Sequence, residues 1–119
     1  MEKNLEISLL FDFYGQMLTK TQQEAVNLYY NDDLSLLEVA QILAMTRQGV
    51  RDALNRAKKS LYTFEENLKL CERFSNTQQG LKSIIDKAQT LTELTNDEKI
   101  KVLSAQIQMT AQSLYEQEV

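Results

Sequence analysis

Histidine is absent from this chain, and so are proline and tryptophan. Without histidine there is no Ser-His-Asp or Cys-His system, and the commonest general base and zinc ligand are missing. Only three glycines occur, Gly15, Gly49 and Gly80, too scattered for a glycine-rich phosphate loop. The expectation is therefore a protein that is not an enzyme and carries no cofactor or metal. With no proline, few glycines and no strand-type alternation, little interrupts helix, so the fold class is all-α. The single cysteine, Cys71, cannot form an internal disulfide. It lies on a helical apolar face and reads as a small buried hydrophobe. No apolar run approaches the roughly 18 residues of a membrane span. The first residues, MEKNLEISLLFDFYGQML, lack a basic flank and carry Glu6 and Asp12, unlike a signal peptide. The location expected is cytoplasmic, with no membrane insertion.

What is present is a normal apolar content of 43% over 119 residues, enough for a real core. The net charge of −4 is unevenly spread. Residues 1–46 sum to −5 and residues 61–119 to −3, whereas residues 47–60 sum to +4. Cationic charge is confined to one segment, the local footprint of a nucleic-acid reader inside an otherwise acidic chain.

That segment belongs to the stretch SLLEVAQILAMTRQGVRDALNRAKKSL, residues 35–61. Ser35 followed by Glu38 is a capping box. Val39, Ala40 and Leu43 then fall on one helical face. Thr46 offers a second N-cap, and Val50, Ala53, Leu54, Ala57 and Leu61 continue with a 3.6-residue period. Only Ala44 and Met45 separate the two helices. So short a link is the signature of a helix-turn-helix. Ala44 stands where glycine commonly adopts a left-handed conformation, at a cost of about 1–2 kcal/mol.

The remaining chain reads as further helices. Residues 3–18 form the first, with Leu5, Leu9, Leu10, Phe13 and Met17 as one face and Ile7, Phe11, Tyr14 and Leu18 broadening it. Thr19 and Gln22 cap a second over about 20–30, which Asn31, Asp32 and Asp33 end. The helix from Thr46 has no breaker before Gly80 and is expected to run to about residue 74, with Ser75-Asn76-Thr77 as the first break. Two amphipathic helices follow, 77–92 and 97–117, the second capped at Thr95-Asn96-Asp97-Glu98. The division expected is a helix-turn-helix domain over 1–75 and a helical extension over 76–119. That extension packs on the domain or on a second subunit, so a homodimer is one of two arrangements left open.

On the helix from Thr46, Gln48, Asp52, Asn55 and Lys59 point away from the apolar stripe, with Arg51 and Arg56 flanking them. The early turns of such a helix enter the major groove. Arginine pairs with guanine, and glutamine or asparagine with adenine, so Arg47, Gln48, Arg51 and Asn55 are the base-reading candidates. Arg56, Lys58 and Lys59 suit phosphates, and Thr46 offers a hydroxyl at a helix N-terminus that favours anions. Two residues run against this assignment. Asp52 would repel phosphate, and Gly49 costs roughly 1 kcal/mol of helix propensity.

Residues 18–61 resemble region four of bacterial sigma factors, where an LT-capped helix precedes a helix-turn-helix. More closely, residues 5–75 resemble the YlxM family of small bacterial proteins, through the FDFY, LYYNDDLS and TRQGV segments. Thr46 and Gly49 stand where that family's SRQAV has serine and alanine. The resemblance implies a sigma-like helix-turn-helix and a regulatory role linked to the signal recognition particle pathway. Two functions stay open at this point. One is a DNA-binding regulator that reads sequence. The other is an accessory protein that binds the particle's RNA or GTPase without reading DNA.

Overall fold

The computed structural model describes residues 5–117, and all its regular elements are helical. The expected start of the first helix at residue 3 lies outside the described residues. The chain divides into two compact units, Met1–Cys71 and Glu72–Val119.

The first unit holds four helices. α1 (Leu5–Tyr14) tightens into a 3₁₀ turn at Gly15–Met17. It buries Ile7, Leu10 and Tyr14, with Leu18 beyond the turn, whereas Leu5 is 84% exposed and Leu9 and Met17 are also open. The face led by Leu5 and Leu9 is thus the outer one, contrary to expectation. The reason lies in its neighbours: at helical spacing Leu5 and Leu9 share their line with Asp12 and Gln16, while positions 7, 10, 14 and 18 carry no charge.

α2 (Lys20–Val26) opens with the expected box. Gln22 N–H donates to Thr19 Oγ1 at 3.2 Å, and Thr19 N–H donates to Gln22 Oε1 at 3.1 Å. Its continuation, Asn27–Asn31, widens into a π turn closed by Asp32 N–H on the Asn27 carbonyl. α3 (Leu36–Leu43) begins with the reciprocal Ser35–Glu38 box and ends at Ala44, whose φ of 53° and ψ of 47° are left-handed. Met45 N–H then reaches back to the Ala40 carbonyl at 2.9 Å, the six-to-one bond of a Schellman ending. α4 (Arg47–Leu68) follows at once, capped by Thr46, and buries Val50, Leu54, Ala57 and Leu61. These four meet the buried faces of α1, α2 and α3 in one core.

The expectation of a helix running unbroken to residue 74 fails at Lys69, which is left-handed at φ 55°, and α5 (Leu70–Leu94) starts immediately after it. Ser75, Asn76 and Thr77 lie inside α5. Tertiary bonds hold the break. Glu65 Oε1 accepts from the Tyr14 hydroxyl at 2.5 Å and from Cys71 N–H at 3.0 Å, and Leu70 N–H donates to Tyr14 Oη at 2.9 Å. The first N–H groups of α5 are thereby satisfied by residues 14 and 65, the latter within α4.

The second unit is a helical hairpin of α5 and α6 (Glu98–Tyr115). Asp97 caps α6 by accepting from Lys99 and Ile100 N–H, and the helix stops two residues short of the expected 117. Gln78 donates to the Tyr115 carbonyl at 2.9 Å, and the hydroxyls of Thr92 and Ser104 lie 2.6 Å apart, which makes the pair antiparallel. Ala88, Ser104 and Ala111 are the buried residues of this unit among those described, so its seam is built from small side chains.

Candidate nucleic-acid interface

The eight residues singled out in the sequence all lie on the first two-thirds of α4 or at its cap. Thr46 Oγ1 accepts from Gly49 N–H at 2.9 Å, which anchors the helix start. A Cβ on Gly49 would sit 3.1 Å from that oxygen, so glycine here gives the cap room. Gly49 is the third helical residue, within the cap rather than deep in the helix.

Because Val50, Leu54, Ala57 and Leu61 fix the inward direction, the polar residues are distributed by rotation alone. Arg47, Gln48, Arg51, Asn55, Arg56 and Lys59 are exposed, and Lys58 is half-buried. Arg51, Asn55 and Lys58 line a cleft with Tyr29, Tyr30, Leu36 and Leu54. Arg47 lines the adjoining one with Tyr29, Ser35, Leu36 and Leu37. Arg47, Arg51, Asn55 and Lys58 are thus brought together along one flank, facing the π turn and the start of α3. Gln48 and Lys59 point outward beside Asp52, and Arg56 lies toward the opposite flank.

Two features were not foreseen. Gln48 Nε2 donates to Asp52 Oδ1 at 2.9 Å, so the acid on the outward stripe is tied to a base-reading candidate one turn earlier. And the clefts are walled by Tyr29 and Tyr30, whose rings meet edge to face at 5.0 Å and 85°. Burial, followed by the neighbouring Tyr29, pushes the Tyr30 phenol above its ordinary range. The only sequence signal for these tyrosines was their place in LYYNDD, and the π turn that aims them leaves no local mark. Among the described residues, none of Arg47, Arg51, Arg56, Lys58 and Lys59 is engaged in an ion pair. The described residues also contain no group of three His, Cys, Asp or Glu able to hold a metal, and no helix long and apolar enough to cross a membrane.

A capped helix, a two-residue turn with a left-handed alanine, and a second helix with exposed cations on its early turns together define a helix-turn-helix protein. The comparisons with known proteins agree. The family model described as "UPF0122: Putative helix-turn-helix protein, YlxM / p13 like" matches residues 1–103. A UPF0122 protein of Clostridium kluyveri is 39% identical over 103 residues, covering 87% of this chain and 90% of its own. One from Desulforamulus reducens is 43% identical over 86 residues, covering 72% and 74%. One from Thermoanaerobacter sp. is 41% identical over 96 residues, covering 81% and 82%. The chain belongs to the UPF0122 family. The match runs past the helix-turn-helix into α6, further than the residue-75 limit of the resemblance seen in the sequence.

Proposed function

We propose that this protein is a cytoplasmic DNA-binding regulator whose α4 enters the major groove. The observation that carries this reading is the row of exposed cations on the early turns of the second helix, free of ion pairs within an otherwise acidic chain. Arg47, Gln48, Arg51 and Asn55 read base edges. Arg56, Lys58 and Lys59 hold phosphates, and the Thr46 hydroxyl with the N-terminus of α4 takes another. Asp52 has two roles. It holds the Gln48 amide in one orientation, and a carboxylate at this place accepts from a cytosine amino group.

Selection of binding sites from random DNA duplexes tests the reading. The expected outcome is one enriched sequence. Arg51→Ala should relax its preference at one base pair, at a cost of about 1–3 kcal/mol. Asp52→Asn should tighten binding to all duplexes while weakening discrimination, because a repulsion disappears along with a reader. If no duplex is enriched at moderate salt, DNA reading fails.

A second reading draws on Asp52 itself. A carboxylate in the middle of the outward stripe opposes a phosphate backbone, and it suits a partner met through fewer phosphates. By the family resemblance that partner is the RNA or the GTPase of the signal recognition particle. Binding assays with each, beside the duplex selection, separate the two readings.

A further inference from the structure

The α5–α6 hairpin leaves its large aliphatic side chains in water. Ile84 is 46% exposed, Leu103 60%, Ile107 50% and Leu114 46%, and they line one continuous groove with Leu81 and Ala111. The spacing explains the groove. Positions 81, 84, 88 and 91 on α5, and 100, 103, 107 and 114 on α6, follow a three-four alternation that puts one stripe on each helix. The hairpin's own contact uses the neighbouring edge, through Thr92, Ser104 and Ala111. A two-helix unit whose only buried residues, among those described, are two alanines and a serine has no core of its own.

We infer that this groove docks against the same groove of a second copy, so that two hairpins complete a four-helix bundle about a two-fold axis. Two observations and one general rule of assembly select a second copy. The open leucines and isoleucines of the unit expose on the order of 500–700 Å² per copy, at the upper end of the roughly 300–600 Å² of a monomer's largest patch and somewhat below the roughly 800 Å² per partner of a stable interface. No charged side chain lines the groove, whose polar members are Gln106 and Thr110. An uncharged face meets no repulsion from itself and offers no handle to a charged ligand. A two-fold axis also lets one patch serve both sides, which is the commonest arrangement of soluble assemblies. The inference concerns residues other than those assigned to nucleic acid and stands or falls separately from that assignment.

Light scattering on the full chain at about 100 μM gives the first test, since dimer populations depend on concentration. Twice the chain mass of 13.7 kDa is expected. The double variant Leu103→Glu/Ile107→Glu should return to the mass of a single chain. Should that variant lose its helices, the wild type carries the test alone. In a dimer mixed from isotope-labelled and unlabelled chains, isotope-filtered NMR should show methyl contacts between copies from Ile84, Leu103 and Ile107. A wild-type mass of one chain overturns the inference, including the case where the face binds a different protein. So does a dimer without those methyl contacts, or a folded double variant that remains dimeric.

Discussion

The hydroxyl of Tyr14 both donates to Glu65 and accepts from the N–H of Leu70, in a fully buried side chain. Tyr14→Phe removes both bonds and leaves the Leu70 N–H without this acceptor. The expected loss is about 1–3 kcal/mol, visible as a lower urea midpoint with little change in slope. The same junction gives the protein an alkaline limit. Burial, and after it the Glu65 carboxylate, pushes the Cys71 thiol from its ordinary 9.0 up to about 12. Burial and the bond to Glu65 likewise raise the Tyr14 phenol. Both groups hold their protons more tightly when folded, so the unfolded chain loses them first. The Cys71 contribution is complete below pH 9 and is lost as pH rises from 9 through 12, and that of Tyr14 falls as pH climbs above its ordinary 10.0. Thermal midpoints should fall across that window, and Cys71→Ala should flatten part of the fall.

At the scale of the elements, two of the three left-handed residues, those other than Asp33, carry measurable strain. Ala44 and Lys69 each adopt φ above 50° without being glycine. Relieving about 1–2 kcal/mol at each site, less the entropy glycine adds to the unfolded chain, predicts that Ala44→Gly or Lys69→Gly stabilises by about 0.5–1 kcal/mol. Calorimetric melting checks both. The Ala44 geometry was legible in the sequence because two caps, Ser35 and Thr46, bracket the turn and leave the chain one way to reverse. The break at Lys69 was not, because its bonds come from Tyr14, more than fifty residues away. Nor was the outer face of α1, where the count of leucines pointed one way and Asp12 the other. At the candidate interface, the exposure of Arg47, Arg51, Arg56 and Lys59 followed from the apolar stripe alone. Their neighbours Tyr29 and Tyr30 did not, because a π turn shifts side chains by a step that helical periodicity cannot supply.

For the whole molecule, residues that sum to −8 surround a +4 segment. Binding through that segment should weaken steeply with salt. Arg56→Ala and Lys59→Ala should each lower the slope of log K against log salt by about 1 while leaving sequence preference intact. Substitutions at acidic sites outside α4, such as Glu24→Gln, should tighten binding to every sequence alike, as relief of long-range repulsion does.

The bond between Tyr14 and Leu70 also sets a timetable. It joins an early part of the chain to the last residues of the first unit, and α1 has its main partner in α4. During synthesis, the apolar face of α1 therefore leaves the ribosome well before its cover exists. The 56 residues between them take roughly 3–11 s to make at bacterial rates. For that interval Ile7, Leu10 and Tyr14 are a hydrophobic stripe on a nascent chain, open to whatever meets emerging polypeptides at the tunnel exit.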